Sequence, residues 1–235
     1  MMVSEQFQAI VMRLVTVMQF SILVPMVVVW WRQRHFSPPV KVLSWYVYIS
    51  AFFALSARLS AIYLHNNLFF LIGFNVSKVL LLAVVYRLVL TGPRTRRVLA
   101  VATVVALGIV VASFALGTAQ TVTVSRVVQC AVLAGFALAY LEQGLNRSNN
   151  HRFSHDPIWL LSLGQLIYSA TTVSAFSIEI VTLLRNPLFS QLTAVSFSLA
   201  SLVFNYFLTL AFLRATPGAP TPTAVTAVKS QLIAS

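Results

Sequence analysis

Seven stretches of roughly 20 apolar residues, nearly free of charge and separated by short polar turns, leave this chain few ways to fold. They run Ala9 to Trp31, Val40 to Tyr63, Leu68 to Leu90, Val98 to Leu116, Thr121 to Leu141, Pro157 to Leu184 and Ser190 to Leu213. About 20 helical residues cross a ~30 Å hydrocarbon core. Lipid offers backbone groups no partners, so each crossing must bond within itself as an α-helix. The period-two alternation of a transmembrane β-barrel is missing. The expected fold is all-α, a polytopic bundle of seven transmembrane helices over residues 1–214. The Ala/Pro/Thr-rich segment 215–235 has no apolar face to bury and is expected to be a disordered tail.

Ordinary turn chemistry marks the breaks: Ser37-Pro38-Pro39, His65-Asn66-Asn67, Thr91-Gly92-Pro93, Gly117 and Asn186-Pro187. Asp156 followed by Pro157 reads as a cap and first-turn proline opening the sixth span. The first apolar run starts almost at once, contains Arg13 and has no small-x-small cleavage site after it, so it reads as a span rather than a cleavable signal.

Only 9% of the residues are charged, against about a quarter in a soluble domain. The net charge of +12 arises because Glu5, Glu142, Asp156 and Glu179 are the only acids. The surplus Lys and Arg flank apolar helices, as cations near lipid headgroups do, and no soluble basic module is visible, which argues against nucleic acid. Cys130 stands alone inside a span and cannot form an internal disulfide.

Loop charge gives an orientation. Arg32, Arg34 and Lys41 follow the first span; Arg87, Arg94, Arg96 and Arg97 surround the end of the third; Arg147 and Arg152 follow the fifth; Arg214 and Lys229 follow the seventh. In the alternate loops Arg185 is the exception. This places the N-terminus outside and the C-terminus in the cytoplasm, with Trp30, Trp31 and Trp159 near the cytoplasmic boundary. Segments also echo one another. His65-Asn66-Asn67-Leu68-Phe69 resembles Arg185-Asn186-Pro187-Leu188-Phe189, and Val11-Met12-Arg13-Leu14-Val15 resembles Val124-Ser125-Arg126-Val127-Val128. A three-plus-one-plus-three repeat and chance likeness among apolar segments both account for these echoes.

Ionisable residues inside spans are costly, about 2.5–3.5 kcal/mol at a helix centre, and usually have a reason. Arg13, Arg58, Arg126 and Glu179 each stand about five residues from the outer end of a span, hence roughly 7 Å deep at ~1.5 Å per residue. Lys78 lies deeper, near the middle of the third span. Polar residues share faces with them: Asn75 before Lys78, Gln129 after Arg126, and Ser162, Gln165, Ser169, Thr172 and Glu179 along the sixth span. Ser198, Ser201, Asn205 and Thr209 line one side of the seventh. Facing one another, these stripes would form an outward-facing polar cavity of positive potential. It would suit a small anionic ligand or a phospholipid headgroup, with Glu179 as counter-ion. Arginines at this depth also reach headgroups along their stems, and small polar residues also serve helix packing.

Catalytic and cofactor signatures are missing. The seventh span has no lysine for a retinal Schiff base, Glu179 is the one carboxylate in a span, and no nucleophile–base pair is visible. His151, His155 and Asp156 could ligate a metal in principle, but their Asn, Ser and Arg neighbours suggest a solvated loop. No metal, cofactor or enzymatic activity is expected. The basic loop after the first span, the Asn66-Asn67-Leu68 junction, and Pro157-Ile158-Trp159 followed by Gly164 and Tyr168 resemble the small, uncharacterised seven-helix membrane proteins of Bacteroidetes-type bacteria. That resemblance covers most of the helical region and implies a bacterial inner membrane protein, without supplying an activity. In that pattern spans two and three carry acids, with a histidine in the third; here Arg58 and Lys78 stand near those places. The expected role is a non-enzymatic sensor or accessory protein that passes ligand binding to a cytoplasmic or membrane signalling partner. A small transporter of two three-helix units comes second, and a lipid-processing enzyme third.

Overall fold

The computed structural model describes residues 5–63, 67–115, 121–147, 156–182 and 187–215. Residues 216–235 of the expected tail, His65, Asn66, Gly117, His151, His155 and Asn186 lie outside them, and of Glu179 the helix backbone alone is described. The described residues form helices α1 (Glu5–Ser21), α2 (Leu23–Arg32), α3 (Pro38–Tyr63), α4 (Leu68–Val89), α5 (Pro93–Ala115), α6 (Thr121–Arg147), α7 (Pro157–Thr182) and α8 (Pro187–Arg214), with one 3-10 turn at Gln33–His35. No strand occurs among them. Seven helical segments are long and apolar enough to cross a membrane, α1 and α2 counting together. The protein is an all-helical membrane bundle.

The first span differs from the single helix expected. It breaks at Ile22, between α1 and α2. Pro25 explains this: it has no N–H for the Ser21 carbonyl, and its ring crowds that carbonyl. The helix resumes with the Met26 amide bonding to the Ile22 carbonyl at 3.3 Å.

Helix pairing gives a closed ring. Going round, α1/α2 packs on α3, α3 on α4, α4 on α6, α6 on α7, α7 on α8, and α8 back on α1 and α2. Helix α5 stands outside, against α4 and α6. Its buried residues Leu99, Thr103, Ala106, Val110 and Ser113 follow three- and four-residue steps, a single stripe, and beyond its basic first turns most of the remaining surface is apolar and exposed. Two asparagines clasp the seams of the ring. Asn75 Nδ2 on α4 donates to Ser125 Oγ on α6 at 2.8 Å, and Asn205 Nδ2 on α8 donates to Ser21 Oγ on α1 at 2.6 Å. Helices α7 and α8 come into tight contact at Gly164, where a Cβ would lie 2.6 Å from Phe207 Cβ.

The end carrying the basic loops is tied in several ways. Val29, Leu43, Leu82, Tyr86, Leu133, Leu161, Leu208 and Phe212 form its apolar core, each 0% exposed. The Arg32 guanidinium donates to the carbonyls of Leu213 and, at 3.4 Å, Ala215, which the end of α8 leaves without helical partners. Asp156 fills its capping role: Oδ1 accepts the Ile158 amide at 2.9 Å, and Oδ2 accepts the Tyr140 hydroxyl at 2.6 Å. Trp30 and Trp31 point away from the protein, 74% and 85% exposed, where a lipid interface would receive them.

Candidate functional site

Lys78 occupies the inner face of α4, three residues after Asn75 and four before Leu82, so all three share the buried stripe of that helix. Its residue exposure is 2%, and three rings surround its ammonium. Nζ lies 3.8 Å from the centroid of Tyr168 on α7, 4.3 Å from Phe204 on α8 and 5.8 Å from Tyr46 on α3. Tyr46 meets Phe204 edge to face at 6.0 Å, and Tyr168 lies 5.6 Å from Phe204, so the rings brace one another. A desolvated cation–π contact is worth about 2 kcal/mol. Two close rings therefore offset an insertion cost of about 2.5–3.5 kcal/mol for a mid-span lysine. They supply quadrupoles and no net charge. No acidic side chain among the described residues faces Lys78, and Asp156 is engaged by Tyr140 and Ile158 at the basic end.

Arg126 belongs to the same interior. Its guanidinium carbon lies 4.7 Å from the Phe176 centroid on α7 and 4.5 Å from Phe197 on α8. Its rings adjoin those around Lys78, Tyr168 meeting Phe197 edge to face at 6.1 Å. One turn further along α6 come Gln129 and Cys130, exposed by 1% and 0%. The Cys130 thiol adjoins Ser169 and Thr172. Gln165 on α7 is fully buried, and its Nε2 donates to Ser169 Oγ at 2.8 Å. Among the described residues its Oε1 has no hydrogen-bond partner, nor does either amide atom of Gln129, nor the hydroxyl of Ser198. Buried amides without partners cost free energy, so a native fold retains them for a reason. A crevice of about 10 Å³ between α4, α5 and α6, bordered by Asn75, Ser125 and Gln129, is apolar where it is open and has room for no more than one water.

The eight residues expected to form the site therefore divide. Lys78, Asn75, Arg126, Gln129 and Gln165 converge on the interior. Arg13 and Arg58 do not: both are exposed on the perimeter, and Arg58 Nη1 donates to Gln19 Oε1 at 2.8 Å. The side chain of Glu179, three residues after Phe176, lies outside the described residues. Of the polar stripes, Ser162, Ser169, Thr172, Ser198 and Ser201 are buried, while Asn205 and Thr209 are half-buried. Several satisfy themselves on their own helix: Ser162 donates to the Ile158 carbonyl, Ser201 to Phe197 and Thr209 to Asn205, each within 2.8 Å. Sequence reasoning missed the rings. Tyr46 precedes the buried Ser50 by four residues, Tyr168 follows Gln165 by three, and Phe204 follows Ser201 by three. A lone mid-span lysine without a carboxylate was the signal to look for aromatic faces.

Compared with protein-family models, curated proteins and solved structures, the chain matches none. The likeness to small seven-helix proteins of Bacteroidetes-type bacteria rests on the residues quoted for it alone.

Proposed function

We propose that the protein is a non-enzymatic sensor or accessory protein of a bacterial inner membrane that binds a small anion, free or as a lipid headgroup, beside Lys78. One observation carries this reading. A buried ammonium and a neighbouring guanidinium share an interior with the Gln129 amide and the Gln165 Oε1, which have no hydrogen-bond partner among the described residues, and no described acid stands against Lys78. In low dielectric two like charges repel strongly, and an anion between them relieves that repulsion while an amide N–H donates to it. The ligand enters from the end opposite the basic loops, which positive-inside placement makes the outer one. Glu179, near Phe176 in sequence, serves as counter-ion when the ligand is absent. The basic loops pass the change to a signalling partner.

Purified protein in lipid nanodiscs, titrated with acetate, succinate, inorganic phosphate and short-chain phosphatidylglycerol, tests this. At least one anion should raise the unfolding temperature of the native protein and leave Lys78→Met unmoved. An equal response from Lys78→Met would sink the reading.

Transport is a second reading, favoured by the ring order. The α4–α6 seam joins the third and fifth spans, and the α8–α1 seam joins the seventh and first. Two triplets related by a twofold axis would have this pattern of contacts, with α5 as connector. Lys78 and Tyr46 come from the first triplet, Tyr168 and Phe204 from the second. Accumulation of the bound anion in proteoliposomes would favour transport, and binding without flux would favour sensing.

A further inference from the structure

The basic end holds a second cationic arrangement, separate from the interior site. Arg87 ends α4 and Arg94 begins α5, joined through Leu90, Thr91 and Gly92. That junction is pinned from several sides. Arg96 Nε donates to the Leu90 carbonyl at 2.6 Å, the Arg96 amide bonds the Gly92 carbonyl at 3.0 Å, and the Gln143 amide of α6 donates to Thr91 Oγ1. Arg96 is thus consumed in holding the turn. Arg87, Arg94 and Arg97 are left exposed around a fixed corner.

Beneath them the apolar surface continues in matching order. On α5, Arg94 and Arg97 share the outward face with Val98 and Val101, 67% and 58% exposed, the face opposite the buried stripe. On α4, Leu80 and Val84, 43% and 46% exposed, lead up to Arg87. Moving from the end of the bundle inward, each helix presents guanidinium first and branched aliphatic surface second. A glycerophospholipid presents phosphate first and acyl chain second.

We propose that the α4–α5 corner is a docking site for one anionic phospholipid. Its phosphate pairs with Arg87, Arg94 and Arg97, and an acyl chain lies along Leu80, Val84, Val98 and Val101. Charge decides the occupant: three exposed guanidiniums with no acid among the described residues of either helix call for an anionic headgroup. Arginine forks suit the phosphate oxygens, and the aliphatic surface below suits a chain rather than a soluble anion.

The test is lipid retention by the full chain, purified in mild detergent with phosphatidylglycerol or phosphatidylcholine and read by native mass spectrometry. The native protein should keep one phosphatidylglycerol and shed phosphatidylcholine. Arg94→Gln with Arg97→Gln should weaken retention by about tenfold or more, at about one kcal/mol per basic residue. The equal-charge control, Arg34→Gln with Lys41→Gln at exposed positions of the same end, should keep it. Equal loss in the control would mean diffuse attraction of the basic end and overturn the proposal. So would displacement by inorganic phosphate at the lipid's own concentration, which would show that the chain contributes nothing. Both double variants lie on the surface, and unchanged thermal unfolding verifies that they fold.

Discussion

Lys78 and Arg58 are both cations set among the apolar turns of a long helix, yet their surroundings have little in common. Helix α4 is covered by α3, α5 and α6, and its inner stripe turns Lys78 into the ring, onto Tyr168 and Phe204. Arg58, on the perimeter of α3, is exposed and bonds Gln19 across to α1. Two glycines divide the same way: Gly164 sits against Phe207 with no room for a methyl, while Gly108 on α5 has open space around its Cα. Residue type therefore tells little about cost in this bundle. Position around the ring decides whether a charge must be solvated by protein and whether a missing side chain is needed.

That comparison predicts its own largest effect at Lys78. Lys78→Ala removes a long stem from among three rings and should cost about 2–5 kcal/mol of unfolding free energy, as large-to-small core changes do. Lys78→Met keeps the volume and drops the charge, so it should match or exceed native stability. Unfolding in mixed micelles with rising dodecyl sulfate measures both. A Met variant as unstable as the Ala variant would show that charge, rather than packing, holds the cage. The glycine pair comes next. Gly164→Ala should cost about 1–3 kcal/mol because a rigid helix contact must open. Gly108→Ala should cost nothing and gain up to about 1 kcal/mol from helix propensity. Equal effects at the two would erase the distinction between ring and perimeter.

The sequence announces the number of helices plainly, because a crossing needs a fixed length of apolar chain and each turn here carries Pro, Gly or Asn. The break at Ile22 was legible too, since Pro25 stands within the first span. Depth could be counted from helix ends, but depth is one coordinate and angle round the helix is another. Arg13, Arg58 and Arg126 share a depth, yet only Arg126 turns inward, onto Phe176 and Phe197. In a soluble helix an apolar stripe would reveal the inward face. Here lipid makes the outward face apolar as well, and the signal fades; only polar stripes such as Gln165, Ser169 and Thr172 still mark the inside. The aromatic cage was illegible for the same reason, since Tyr46 and Phe204 look like any other membrane aromatic.

The two seam asparagines should matter less than cage or glycine. Hydrogen bonds between membrane helices average about 0.6 kcal/mol, because the separated helices find other partners. Asn75→Ala and Asn205→Ala should each fall near that value, and a much larger loss at Asn75 would tie the α4–α6 seam to the Lys78 site.

The smallest effect belongs to the perimeter. Arg58→Gln and Gln19→Ala, made singly and together, should return a coupling below about 0.5 kcal/mol, as exposed pairs do. Arg58 can trade Gln19 for a lipid phosphate or water at little cost, because its exposed guanidinium keeps access to both. Arg126 is half-buried, with two phenyl rings against its guanidinium. Arg126→Gln should therefore lose more, about 1–2 kcal/mol for a partly desolvated cation–π stack. If Arg58→Gln cost as much as Arg126→Gln, the perimeter would be solvating its arginine as the interior does, and ring position would cease to be the variable that matters.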